Sequence, residues 1–246
     1  MTEDHAKNVL TFDSLAQQYA ISELFRPERE LLLVLRDQLN QMDMLDLGVG
    51  AGRTSFTFTA LTRTYVGVDY AKSMVEMCRN RFGENSRQKF VCLDAADLSS
   101  LGDRSFDLIL FSFNGIDCVE LERRQKILRE VHRLLRPDGY FFFSANSLES
   151  FPWPMEWPQF RFTRPFRSLF AFAKKAIRNG RLYWANRLQN ATELKKRGWA
   201  YLQDGAHNFG LILFYATREY HFRELHQHGF EIILRLGLDG RRLDLT

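Results

Sequence analysis

The chain has 246 residues, 45% hydrophobic and 26% charged, with 34 Lys+Arg against 30 Asp+Glu for a net charge of +4. This is an ordinary globular composition, at the length of one large domain or a domain with an insertion, and it excludes a disordered or fibrous chain. No apolar run nears the ~18 residues that span a bilayer, and the polar start MTEDHAKN does not read as a secretory signal. Cys78, Cys92 and Cys118 lie far apart, so a cytoplasmic protein with reduced thiols is expected.

Phe12, Leu15, Ala16 and Tyr19, then Leu31, Leu32, Leu35 and Leu39, follow helical spacing and predict an N-terminal helical cap over 1–41. A strand is predicted at 42–47, then a glycine-rich turn and a helix at 53–61. A β-branched strand at 64–68 ends at Asp69, a helix follows at 72–82, and a strand at 89–93 ends at Asp94. An apolar strand at 106–113 precedes an amphipathic helix at 122–135. That helix is stopped by Pro137-Asp138-Gly139, and a fifth strand follows at 140–145. Continuously apolar strands alternating with helices predict a doubly wound, mostly parallel α/β sheet over 42–150. Residues 151–203 break the pattern with four of the six prolines and no clear strand, and read as an inserted lid. The segment 204–246, with a strand at 209–216, a helix at 218–227 and a strand at 230–236, is expected to complete the core sheet.

The loop Gly48-Val49-Gly50-Ala51-Gly52 joins a strand to a helix, where glycines allow a tight turn and close backbone approach to a ligand. Arg53 stands where a dinucleotide G-x-G-x-x-G fingerprint needs its third glycine, so that fingerprint fails. Asp46 precedes the loop, Asp69 closes the next strand at a position suited to ribose hydroxyls, and Asp94-Ala95 closes the third, placed for an adenine edge. Three acids at the carboxyl ends of three consecutive strands make a stronger signal than the glycine loop alone.

With these residues the chain resembles the class I S-adenosylmethionine-dependent methyltransferases, which have a Rossmann-like core. The resemblance runs through 44–52, 66–74, Asp94-Ala95, 106–109 and 128–139. It implies S-adenosyl-L-methionine as cofactor. Asp46, Gly48, Gly50 and Gly52 would face the methionine part, and Asp69 the ribose, with Tyr70 next to it. Met74 would pack on adenine, Asp94 and Ala95 would read its edge, and Phe111 and Phe113 would border the site. Tyr19 matches an aromatic that closes over the cofactor. The family's final antiparallel hairpin has no good counterpart after 230–236, so either 209–216 fills a sheet edge or the chain stops short of it; the oligomeric state stays open.

Methyl transfer from a sulfonium is an in-line displacement that depends mainly on proximity and orientation; a base is needed only where the acceptor must lose a proton. Asp117 and His207 are the candidate bases. Extra carboxylates for a metal are not evident near the fourth strand. His221, His226 and His228, at offsets of five and seven, do not share a helix face, so no metal is expected. The Asn-Pro-Pro-aromatic signature of amino-directed nucleic-acid methyltransferases is absent.

The insertion carries eleven Lys/Arg against two Glu, leaving the rest of the chain at −5, and it holds all four tryptophans. Wound as a helix, 165–178 separates an apolar face from a basic one. This leaves open a solvated lid, a lid greeting an acidic substrate, peripheral membrane contact, or RNA contact. The reading taken forward is methyl transfer to a small or medium-sized acceptor touched by Tyr19, Asn114, Trp153, Trp157 and Tyr201. The alternatives are an RNA methyltransferase and a cofactor-binding sensor without transferase activity.

Overall fold

The computed structural model describes residues 23–150, 197–203 and 212–245, with Ile177 and Gly180. The chain divides into two compact units, Met1–Ala145 with Phe222–Thr246, and Asn146–His221.

In the first unit, α1 (Arg26–Leu35) precedes β1 (Asp43–Leu47), α2 (Ser55–Leu61), β2 (Thr64–Asp69), α3 (Lys72–Phe82), β3 (Gln88–Cys92), β4 (Phe106–Phe111), α4 (Leu121–Leu134) and β5 (Leu135–Phe143). The five strands are parallel in the order β3-β2-β1-β4-β5, which is the predicted doubly wound sheet. Strand order reverses beside β1. In such sheets the crevice outside the carboxyl ends of the strands, at this reversal, is where ligands bind.

Period-two alternation divides the core between the two faces. Met44, Tyr65, Phe90, Leu108 and Leu110 pack with Leu31, Leu35, Phe58 and Val75 of α1, α2 and α3. Leu45, Leu47, Ile109 and Phe111 pack with Ile127, Leu128, Val131 and Leu134 of α4. Each such fully buried apolar side chain contributes roughly 1.5–3 kcal/mol.

Three expectations change beyond β5. The segment read as strandless contains β6 (Trp199–Gln203), which pairs antiparallel with β7 (Ile212–Ala216) in a separate two-stranded sheet, so the strand expected at 209–216 does not extend the five-stranded one. Trp199 stacks on Phe214, Tyr220 packs tilted against Phe214, and this aromatic packing suits a small sheet. After α5 (Arg218–Gln227), the strand expected at 230–236 does not form. Phe230 instead packs on Phe141 and His132, so its apolar side chain is partly buried without a backbone ladder. Completion of the core sheet by 204–246 is therefore not seen among the described residues. Among those residues, no helix is long and apolar enough to cross a membrane.

Candidate active site

The glycine loop leaves β1 at its carboxyl end. Gly48, Gly50 and Gly52 all take left-handed backbone, with φ of 62°, 56° and 84°, a region glycine enters without the strain other residues meet. Their roles differ. A Cβ on Gly48 would lie 2.9 Å from the Phe111 ring, and one on Gly52 2.3 Å from Phe82, so both seat the loop on the core. A Cβ on Gly50 would meet only the Gly48 carbonyl oxygen, at 4.0 Å, and would otherwise project into open space. The loop is thus pressed down at both ends and open in the middle.

Asp69, at the end of β2, ties this loop to the next. Its Oδ2 accepts from the Gly50 amide at 2.9 Å and its Oδ1 from the Ala71 amide at 2.9 Å. Asp46 is buried at 1% exposure beneath the loop. Its Oδ2 accepts from the Thr54 hydroxyl at 2.5 Å and the Tyr65 hydroxyl at 2.6 Å. Burial pushes the Asp46 carboxyl up to about 6, against these two hydrogen bonds. Cys78 lies under the loop, its Sγ 3.1 Å from the Gly50 carbonyl oxygen, and burial pushes its thiol up to about 12, so it is an inert packing group.

Asp46, Gly48, Gly50, Arg53, Thr54, Ser112 and Phe113 line one cavity with Val49 and Ala51. Arg53 and Ser112 of this lining are held from behind by residues distant in sequence. Glu28 of α1, 2% exposed, receives both terminal nitrogens of Arg53 at 2.5 and 2.6 Å. It also accepts from the Ser112 hydroxyl and, at 2.7 Å, from the Phe25 amide. Such a bidentate, charge-assisted pair is geometrically specific. The Arg53 guanidinium lies 4.2 Å from the centre of the Phe25 ring, which stacks on Phe113 at 5.3 Å.

β4 ends two residues earlier than expected because the chain turns sharply. Phe113 and Asn114 both take positive φ, 56° and 58°, at roughly 1–3 kcal/mol of strain each. Strain in consecutive non-glycine residues, one bulky and 54% exposed at a cavity mouth, marks a turn held for more than folding.

Residues 45–143 match a family model described as a methyltransferase domain. The stretch similar to a methyltransferase domain runs from within β1, through the glycine loop, to the end of β5. A demethylmenaquinone methyltransferase of Clavibacter sepedonicus is 36% identical over 96 residues, 39% of this chain and 38% of the relative. A malonyl-[acyl-carrier protein] O-methyltransferase of Marinomonas sp. (strain MWYL1) is 30% identical over 145 residues, 57% of this chain and 52% of the relative. The chain therefore spans about half the length, or less, of these curated relatives. A SAM-dependent methyltransferase structure from Methanosarcina mazei shares the fold across 86% of this chain and 92% of its own, at a TM-score of 0.53 and 18% identity.

The methyltransferase domain gathers Asp46, Gly48, Gly50 and Phe113 around one cavity, with Asp69 bonded to the same loop. Met74 is 2% exposed and packs with Ala51, Ala71 and, beside them, Tyr70. Asp94 lies two residues past β3. Its Oδ1 caps the Ala96 amide at 2.9 Å, and its Oδ2 is paired with Arg123 of α4, while Ala95 packs on the core. Two expectations need correction. Phe111, at 5% exposure, does not line the cavity; it lies under Gly48 and Gly115 and supports the loops from below. Asp117 is not placed to act as a base: it is fully buried, and its carboxylate accepts from Arg124 at 2.6 Å. Asn114 donates its amide to the Ser144 hydroxyl at 2.7 Å. Tyr201 lies in β6, packed edge-on against Trp199 and Phe214. Tyr19, Trp153, Trp157 and His207 lie outside the described residues, as does 165–178 apart from Ile177. Sequence reasoning missed Glu28, Arg123 and the role of Arg53. The available signal was Arg53 itself, a cation directly after the glycine loop.

Proposed function

We propose that this chain moves a methyl group from S-adenosyl-L-methionine to a small or medium-sized acceptor. The observation that carries this reading is the left-handed glycine loop over buried Asp46, its middle open to the cavity and its Gly50 amide fixed by Asp69. Asp46 and the loop would hold the methionine part. Asp69, at the carboxyl end of β2, would accept from the ribose hydroxyls. Asp94 and the Ala95 backbone would read the adenine edge, and Met74 would pack on adenine. Bound there, the cofactor would supply an activated methyl on sulfur for in-line transfer to the acceptor's lone pair.

The chain's own part is orientation. Arg53 and Ser112, backed by Glu28, would form the acceptor side, and the Phe113–Asn114 turn would border cofactor and acceptor alike. The two relatives named above bear the names of a quinone and an acyl-carrier substrate, which supports a metabolite acceptor, and the basic stretch 151–203 favours an acidic one. The three cysteines form no disulfide, which suits a cytoplasmic setting. Mass spectrometry of ligand released from the purified protein, with calorimetric titration of S-adenosylhomocysteine, tests the reading. Micromolar binding of S-adenosylhomocysteine is expected. Recovery of a nicotinamide or flavin dinucleotide, with no such binding, overturns it.

A further inference from the structure

Beyond the cavity, the first compact unit buries a three-residue charge network. Arg124 of α4 is 0% exposed, Asp117 is 0% and Glu224 of α5 is 3%. Arg124 Nη1 donates to Asp117 at 2.6 Å, and its Nε donates to both oxygens of Glu224, at 3.0 and 2.9 Å. Gln125 adds a bond to Glu224 at 2.9 Å. Two carboxylates around one guanidinium, out of water, are a poor device for stability, since apolar side chains of similar volume often serve as well or better. What the network grips is more telling. Asp117 closes the short turn that begins with the strained Phe113 and Asn114. The Asp117 amide donates to the Asn114 carbonyl at 3.0 Å. Gly115 inside the turn admits no side chain, because a Cβ there would lie 2.2 Å from the Phe111 ring. Strained backbone persists only where its surroundings over-determine it.

We propose that the Asp117–Arg124–Glu224 network is a positioning device for methyl transfer, in which a charge on α5 holds the Phe113–Asn114 turn at the cavity mouth. These would be positioning residues, since none of the three lines the cavity, and the proposal rests on the cofactor reading above. The test sets an apolar replacement, Asp117→Leu/Arg124→Met/Glu224→Leu, beside the single variant Glu224→Gln in the full chain. Thermal unfolding and S-adenosylhomocysteine affinity by calorimetry are measured for each. Expected is a triple variant melting within a few degrees of the parent yet binding S-adenosylhomocysteine at least tenfold more weakly, with a roughly threefold or greater loss for Glu224→Gln. A folded triple variant with parental affinity overturns the proposal. Should the triple variant not fold, Glu224→Gln decides: parental affinity with parental near-ultraviolet circular dichroism overturns it. A parent that fails to bind S-adenosylhomocysteine overturns the cofactor reading as well, whereas equal binding by parent and variants removes the positioning role alone.

Discussion

The two ends of β1 each carry an aspartate, and the sheet treats them in opposite ways. At the amino end, Asp43 accepts from Arg63 at 2.9 and 2.5 Å, Thr64 at 2.7 Å and Arg136 at 2.8 Å. Arg136 also bonds Asp107 at 2.5 Å. Hydrogen bonds from Arg63 above all hold the Asp43 carboxyl well below the usual carboxylate range. At the carboxyl end, the side-chain hydrogen-bond partners of Asp46 among the described residues are hydroxyls, and burial pushes it up to about 6. One edge of the sheet is closed by saturated ion pairs. The other keeps an acid that its protein partners leave short of charge, beside a loop with open space above it. A carboxyl shifted by burial at the edge of a cavity is a feature that clusters at functional sites.

The contrast predicts opposite pH responses. The folded chain holds the Asp46 proton up to about 6, against an ordinary value of 3.8. This contribution is therefore full below pH 4 and is lost as pH rises through 6, a change of about 3 kcal/mol. Asp43, shifted the other way, contributes above pH 4, and its share is lost as pH falls further. Urea unfolding of Asp46→Asn between pH 4 and 7 should show the rising-pH loss abolished; a wild-type slope in the variant breaks the comparison. Next in size, Asp69→Ala should weaken S-adenosylhomocysteine binding about thirty- to hundredfold, roughly 2–3 kcal/mol for lost charge-assisted hydrogen bonds, and calorimetry returning the parental Kd would remove its ribose role. Asp43→Asn should cost about 1–2 kcal/mol of stability at pH 7, its partners being partly exposed, while leaving that Kd within twofold. A large change in affinity would mean that the two edges are not independent. The smallest stability effect belongs to Gly50→Ala, about 1 kcal/mol from the left-handed backbone. Because the new methyl enters the cavity, its loss of S-adenosylhomocysteine affinity should exceed its loss of stability, and the reverse ranking would place the ligand elsewhere.

Much of the core is legible in the amino-acid sequence. Apolar runs such as 106–111 and the helical spacing of Ile127, Leu128, Val131 and Leu134 report local backbone geometry, which near neighbours impose. The glycine loop with Asp46, Asp69 and Asp94 is legible because each acid follows a strand whose end is visible in the pattern. Asp117 misleads for the complementary reason: a carboxylate three residues after Asn114 looks poised, and nothing nearby in sequence reveals that Glu224 lies across Arg124 from it.

The residues at 230–236 carry apolar content that reads as a strand, but side-chain packing on Phe141 and His132 uses it without a ladder. The support behind the cavity is likewise hidden, since Glu28 meets Arg53 across 25 residues and Ser112 across 84. Sequence alone suffices for the order of strands and helices, the loop and the three acids, because those depend on local periodicity and steric freedom. Which charges are buried together, which aspartate is saturated and which is left wanting were decided by tertiary packing. Those outcomes depend on desolvation and on partners that only the folded chain brings within hydrogen-bonding distance.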